Sequence, residues 1–211
     1  MRRRPSPRPV ILPTDNCATA VAEQLRARLF FTGDAEVLDF GCGSGELTFA
    51  LAPRARRVTA VEAPSELLAD LQNALVRSRQ KNIRVLGLDL STAPRQLFGA
   101  RFDLIVSVLT FHHFADIAAL IAGLKSLLKP DGTLAVVDLL AEDGSFHSSN
   151  IGVPHQGFDP QNFAATLADA GFFNIALHCP YTLSCPRRGQ RRDYPLFMAL
   201  ADNEPELKVE S

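Results

Sequence analysis

A glycine at every second position, Gly41, Gly43 and Gly45, stands directly behind the apolar run Val37-Leu38-Asp39-Phe40, and no other stretch limits the fold as strongly. The run reads as a short buried strand. The glycines let the backbone turn sharply and meet a ligand with no Cβ in the way. Residues 47–51 continue as a helix whose first turn aims its free N–H groups at the same place. A strand, a glycine turn and a helix N-terminus in this order make a nucleotide or nucleoside site at the carboxyl rim of an open α/β sheet. The turn by itself does not say which nucleotide.

The rest of the chain repeats the alternation. Residues 57–62, 82–88, 102–108 and 133–140 read as strands, and residues 16–31, 116–128 and 163–170 as helices, with a longer helix opened by Pro64 and Ser65. Residues 90–100 form a loop with room for one helical turn, and residues 129–132 a turn. Residues 141–158 are polar and read as an extended loop over the rim. Residues 172–183 and 194–200 read as two last strands joined by an arginine-rich loop, a hairpin on the sheet edge. Strands alternating with helices predict an α/β fold, a Rossmann-like three-layer sandwich with a mainly parallel sheet. Right-handed crossovers bring the carboxyl ends of its strands to one rim. At 211 residues one domain is expected, spanning 16–201, between a disordered leader at 1–15 and a flexible tail at 202–211.

The formal net charge of -1 gives no reason to expect a polyanionic partner. The cations are uneven, however: Arg2, Arg3, Arg4 and Arg8 crowd the start, and Arg187, Arg188, Arg191 and Arg192 crowd one late loop. Each cluster reads first as solvated, with contact to an anionic substrate or nucleic acid as the alternative. The first fourteen residues are rich in arginine and free of acids, as in a transit peptide, yet Pro5, Pro7, Pro9 and Pro13 spoil an amphipathic helix. The four cysteines form no C-x-x-C pair and read as free thiols in a reducing compartment. No apolar run approaches the ~20 residues that span a bilayer. A cytoplasmic protein without a membrane partner is expected.

Asp39, Glu62, Asp89 and Ser107 fall at or just beyond successive strand ends, which converge on one crevice in a parallel sheet. An acid about 20 residues after the glycines suits a ribose, since two carboxylate oxygens match two vicinal hydroxyls. Here the chain resembles a known family. Residues 37–45, Val61-Glu62, Leu88-Asp89-Leu90, residues 102–107 with His112-His113, and residues 128–134 look like five motifs of the class I S-adenosylmethionine-dependent methyltransferases, in order. A run from Glu142 to His147, then Gly157-Phe158-Asp159, is similar to a branch of small methyltransferases. The resemblance implies a seven-stranded sheet with an antiparallel C-terminal strand, and S-adenosylmethionine as cofactor. It implies Asp39, Gly41 and Gly43 beside the methionine part, Glu62 on the ribose, and Asp89 and Leu90 at the adenine, with Cys42, Gly45 and Ser107 completing the expected cofactor-binding set. Glu62 stands where relatives often carry aspartate. A dehydrogenase reading is weaker, because the glycines run G-x-G-x-G and not G-x-G-x-x-G, and its short-chain form is closed, because neither Tyr181 nor Tyr194 has a lysine four residues on.

Methyl transfer needs a base only when the acceptor must lose a proton. His112 and His113 follow the fourth strand at the rim and are the catalytic candidates. Their bland alternative is that one packs and the other caps the next helix. His147 and His155 read as loop residues, and no metal is expected. Phe111, Phe114, Phe146 and Phe158 wall an acceptor pocket or join the core. Cys42 serves as a small residue. A small-molecule acceptor is the favoured reading. An RNA or protein methyltransferase docking through the arginine loop, and a non-catalytic binding protein on the same fold, remain open. The N/D-P-P-Y/F motif of base and glutamine methylation is absent after the fourth strand.

Overall fold

The computed structural model describes residues 14–28, 33–97, 99–187 and 190–204. The expected leader before residue 14, the tail beyond residue 204, and Arg188 lie outside the described residues. Eight strands form the sheet: β1 (Glu36–Phe40), β2 (Arg57–Glu62), β3 (Ile83–Gly87), β4 (Phe102–Val108), β5 (Leu128–Leu139), β6 (Phe173–His178), β7 (Thr182–Arg187) and β8 (Gln190–Asp202). Six helices connect them: α1 (Thr14–Arg28), α2 (Glu46–Leu51), α3 (Glu66–Arg77), α4 (Ala93–Gln96), α5 (Ile117–Lys125) and α6 (Pro160–Asp169). The strand order is β3-β2-β1-β4-β5-β8-β6, with β7 off this path and paired to β8. Strands β1 to β5 pair in parallel, and β8 runs antiparallel to both β5 and β6.

Each strand alternates its side chains between two cores. On one face Val37, Val58, Leu104, Val106 and Val137 pack with Val21 and Leu25 of α1 and Leu47 and Leu51 of α2. On the other, Leu38, Phe40, Ile105, Leu134 and Val136 pack with Leu120, Ile121 and Leu124 of α5 and Phe163 and Leu167 of α6. Helices on both faces complete the three layers. Local chemistry sets where helices begin. Ser65 accepts the N–H of Leu68, Asp116 that of Ala119 and Asp159 that of Asn162.

Several boundaries differ from the sequence expectation. The sheet path holds the seven expected strands, and β7 is an eighth. The expected strand over 172–183 breaks at Cys179-Pro180-Tyr181, where proline has no N–H to give the ladder. The last strand is longer than expected and lies inside the sheet rather than on its edge: Leu196 to Asp202 pair with β5, while Gln190 to Pro195 form the hairpin with β7. The expected turn at 129–132 is a register shift within β5, with Asp131 at φ 61°. Helix α6 starts earlier than expected because Asp159 caps it and Pro160 opens it. Among the described residues no helix is long and apolar enough to cross a membrane.

Candidate functional site

The strand order reverses between β1 and β4, and polar residues gather at the carboxyl ends beside that point. The chain leaves β1 through Gly41 and Cys42, whose N–H groups both donate to the Val61 carbonyl of β2 at 2.9 and 3.1 Å. A Cβ on Gly41 would stand 2.3 Å from Thr110 Oγ1, so the glycine turn touches the segment after β4. Gly43 has φ 55°, and a Cβ there would meet nothing within 4 Å. Its backbone therefore lies bare beside open space. The Gly43 N–H donates to Oε2 of Glu62 at 2.9 Å, and the Ala63 N–H donates to Oε1 at 2.9 Å. One carboxylate thus fastens the turn to the end of β2. Burial raises the Glu62 pKa, and the two N–H groups hold it back. Behind the turn, Asp39 is 2% exposed and accepts the Thr48 hydroxyl at 2.5 Å. Burial pushes its carboxyl up to about 7, against the Thr48 bond and with help from Glu62 and Glu46.

The second half of the rim follows β4. Leu109 takes φ 54°, a conformation that costs an L-residue roughly 1–2 kcal/mol, and its N–H donates to the Val137 carbonyl. A single turn of 3-10 helix at Phe111–His113 then carries His112 inward. His112 is 1% exposed, with Nδ1 2.6 Å from Oδ1 of Asp138, an acid fully buried in β5. The His112 backbone N–H donates to Oδ2 at 3.2 Å, and the Leu139 N–H to Oδ1 at 2.8 Å. A carboxylate accepts, so this contact assigns the proton to Nδ1 and leaves Nε2 as the lone-pair nitrogen. That Nε2 lies 3.0 Å from Nε2 of His147.

His147 comes from the loop after β5. Glu142 folds this loop by accepting the N–H groups of Ser145 and Phe146 at 2.7 and 3.1 Å, and Phe146 is buried against the Tyr194 and His112 rings. His113, on the exposed side, places its ring 4.2 Å from that of His112 and 5.2 Å from that of His147. Loss of solvation, then the two neighbouring imidazoles, lower the His113 pKa to about 4. His155 donates its backbone N–H to the His112 carbonyl at 3.3 Å, and its Nε2 is buried with no hydrogen-bond partner among the described residues.

A family model described as a methyltransferase domain matches residues 38–134, the stretch that builds both the glycine turn and the His112 turn. The matched stretch, residues 38–134, is a methyltransferase domain of the class I S-adenosylmethionine-dependent kind. The chain is 30% identical over 154 residues to an uncharacterized methyltransferase of Schizosaccharomyces pombe, covering 65% of this chain and 53% of that protein. It is 31% identical over 134 residues to the ubiquinone biosynthesis O-methyltransferase of Xanthomonas campestris pv. campestris, covering 63% and 54%. The chain spans about half the length of these curated relatives. Among solved structures, phosphoethanolamine N-methyltransferase 2 of Haemonchus contortus, in complex with S-adenosyl-L-methionine, shares the fold. Its TM-score is 0.68 at 14% identity, covering 88% of this chain and 52% of that one.

At this rim Gly41, Gly43 and Glu62 come together as the sequence spacing implies. Gly45 precedes α2 with Leu71 packed behind it. Cys42 is buried with Ala60 and Leu71, and burial beside Asp39 and Glu62 raises its thiol pKa far out of the reactive range. Asp89 is exposed just past β3 and spends Oδ1 on the N–H and hydroxyl of Ser91, at 2.9 and 2.6 Å. Those bonds lower its pKa. Leu90 beside it is half-buried against the second core. Ser107 is fully buried and donates to the Phe40 carbonyl at 2.8 Å, which ties β4 to β1 rather than facing the rim.

His112 and His113 lie side by side after β4, and neither caps α5, because Asp116 does. Phe111 and Phe146 are core residues, while Phe114 and Phe158 are half-buried. The sequence reading missed Asp138 and His147. Asp138 left a trace as a lone acid inside the apolar run 134–140, since a buried acid needs a partner. His147 left none, because only the folded loop brings it to His112. In the arginine cluster, Arg192 donates to Asp143 Oδ2 at 2.7 Å and to Ser145 Oγ at 2.6 Å, while Arg191 is exposed.

Proposed function

We propose that the chain moves a methyl group from bound S-adenosylmethionine to a small-molecule acceptor held between the His112 turn and the 141–158 loop. The reading is carried by the bare backbone at Gly43, clamped by Glu62 beside open space. The residues fit an adenosine with a charged tail. Glu62 offers two oxygens to two ribose hydroxyls. Gly41, Cys42, Gly43 and Gly45 present backbone without obstructing side chains to the methionine part. Asp89, exposed, and Leu90, half-buried, border the adenine side. Asp39 acts from behind, by holding Thr48 at the start of α2, and Ser107 acts by holding β4 against β1.

The chemistry supplied at this site is a methyl group already activated on a sulfonium. The chain's own residues orient the acceptor and keep water out. Where the acceptor carries a proton, the imidazoles of His112 and His113 stand at its side of the rim. His113, with its pKa near 4, is neutral at pH 7. His112 is fixed in one tautomer by Asp138. A small acceptor is favoured because a ubiquinone biosynthesis O-methyltransferase stands among the relatives.

Calorimetric titration with S-adenosylmethionine and S-adenosylhomocysteine tests the reading. Wild type is expected to bind both. Glu62→Ala is expected to weaken binding by about 10–100-fold, the size of a charge-assisted hydrogen-bond loss. No heat of binding at high micromolar cofactor would overturn it.

A further inference from the structure

Three imidazoles from two separate segments crowd one spot at the rim, and the base role described above uses one proton at a time. Their candidate ligand nitrogens, one each from His112, His113 and His147, all lie within 4.8 Å of one another. We propose that His112, His113 and His147 form a binding site for a divalent transition-metal cation, zinc being the best fit. The role assigned to the cation below rests on the methyltransferase reading; the site itself does not.

Two nitrogens bound to one zinc at about 2.0–2.1 Å stand roughly 3.3 Å apart at a tetrahedral angle. The Nε2 atoms of His112 and His147 are 3.0 Å apart. The third nitrogen, from His113 on the exposed side, lies within 4.8 Å of both. The rings fan rather than stack, with interplanar angles of 40°, 48° and 67° among the three pairs. A shared proton joins only two of these nitrogens, whereas a cation takes all three lone pairs.

The surroundings resemble those of a metal-ligating histidine. Asp138 receives Nδ1 of the buried His112 and turns Nε2 toward the cluster, the arrangement that fixes tautomer and raises ligand basicity. Two further N–H groups, from His112 and Leu139, hold that carboxylate. The His147 arm is set by Glu142 and by buried Phe146. Three neutral nitrogens without a thiolate suit zinc, and three protein ligands leave one position open for another molecule. The open position is where a hydroxyl or thiol acceptor would sit. Its oxygen or sulfur coordinates, the O–H or S–H bond breaks with the electron pair staying on the heteroatom, and the proton passes to bulk water.

The test uses the full chain without a purification tag, stripped with chelator, on a Cys179→Ser background, because Cys179 is the exposed thiol. Zinc chloride alone is titrated by calorimetry, and cobalt chloride is followed by visible absorption. One zinc per chain is expected, with a four-coordinate cobalt spectrum. His147→Ala is expected to lose at least 100-fold in zinc affinity. Asp138→Asn is expected to lose about 10–100-fold, as for residues that orient a metal ligand. Circular dichroism reports folding, and His147→Ala, a loop substitution, keeps the test valid should Asp138→Asn unfold. Absence of stoichiometric zinc binding, or affinity unchanged in His147→Ala, overturns the proposal. S-adenosylhomocysteine binding is measured on the same samples. Cofactor bound without zinc sinks the metal site and leaves the methyltransferase reading standing, and zinc bound without cofactor does the reverse.

Discussion

Two buried acids back the two halves of the rim, and they are built differently. Asp39, behind the glycine turn, has one side-chain partner, the Thr48 hydroxyl nine residues along the chain. Asp138, behind the histidine turn, receives three N–H groups: the ring and the backbone of His112, 26 residues away, and the backbone of Leu139. In the glycine half, the donor half of the proposed reaction, Asp39 finds its partner within one strand–turn–helix unit, while Glu62 and Val61 of β2 fasten the turn. The acceptor half is assembled from β4, β5 and a loop that must fold back over both. The first acid meets its partner within one segment; the second meets its partners only once β4 and β5 lie side by side.

The largest effect that separates the two acids is a pH dependence. The folded-state pKa of Asp39 is raised to about 7, above its ordinary value of 3.8. A raised acid binds its proton more tightly in the native state. Its contribution to stability is full below pH 4 and is lost as pH rises through 7. The window spans about three pH units, on the order of 4 kcal/mol. Asp39→Asn is expected to remove this slope, so that urea midpoints at pH 5 and pH 8 converge relative to wild type. If the variant keeps the wild-type slope, Asp39 is not the uncompensated acid of the donor half. Glu62, also raised by burial, adds a smaller slope of the same sign.

Next in size is Gly43→Val. The position is left-handed, and a side chain there enters the open space beside the turn. Backbone strain of about 1–3 kcal/mol is expected in the melting curve. Affinity for S-adenosylhomocysteine is expected to fall at least 100-fold, while zinc binding at the histidines stays within a few-fold. Loss of both together would show that the two halves are one unit.

Gly157→Ala probes the other half. Gly157 sits at φ 77°, and a Cβ would stand 2.2 Å from the Leu140 carbonyl oxygen. The loop closes there, where the Phe158 N–H donates to Leu139 and the Ala141 N–H to Phe158. The substitution is expected to cost about 1–3 kcal/mol and to expose the 141–158 loop in hydrogen exchange. Affinity for S-adenosylhomocysteine is expected to stay within about twofold. A parallel loss of cofactor affinity would break the division between the halves.

The same division explains what could be read from the chain. Val37 to Gly45 was legible because an apolar strand, alternate glycines and a helix start are local signals. The acid at Glu62 was legible because it ends the next strand at a fixed distance. What Asp39 and Ser107 do was not, since sequence places them at strand ends but not on a face. Asp39 turns to Thr48 and Ser107 to Phe40, each inside the sheet layers. The histidine cluster was half legible. His112 and His113 are adjacent, but His147 joins them only through the folded loop, and Asp138 lies in the middle of a strand that reads as apolar. The hairpin was misplaced for a similar reason: Pro180 splits one apparent strand, and only pairing shows that the far half of β8 belongs inside the sheet.

Arg192→Ala is the smallest expected effect and bears on which molecule the acceptor half receives. Its guanidinium, on the β7–β8 hairpin, donates to Asp143 and Ser145 of the loop that carries His147. The Asp143 carboxyl pKa is held down to about 2 by Ser145 and Arg192. Both side chains are open to solvent, and exposed pairs contribute little and are screened by salt. A melting shift of at most about 2 °C is expected, with cofactor and zinc affinities unchanged. The guanidinium donates within the chain, to Asp143 and Ser145, and the small-acceptor reading gives it no phosphate to meet. Turnover of a small acceptor, once found, should therefore be insensitive to salt. If instead the chain binds RNA with an affinity that falls steeply with salt and drops further in Arg192→Ala, the hairpin is a docking surface and the small-acceptor reading gives way.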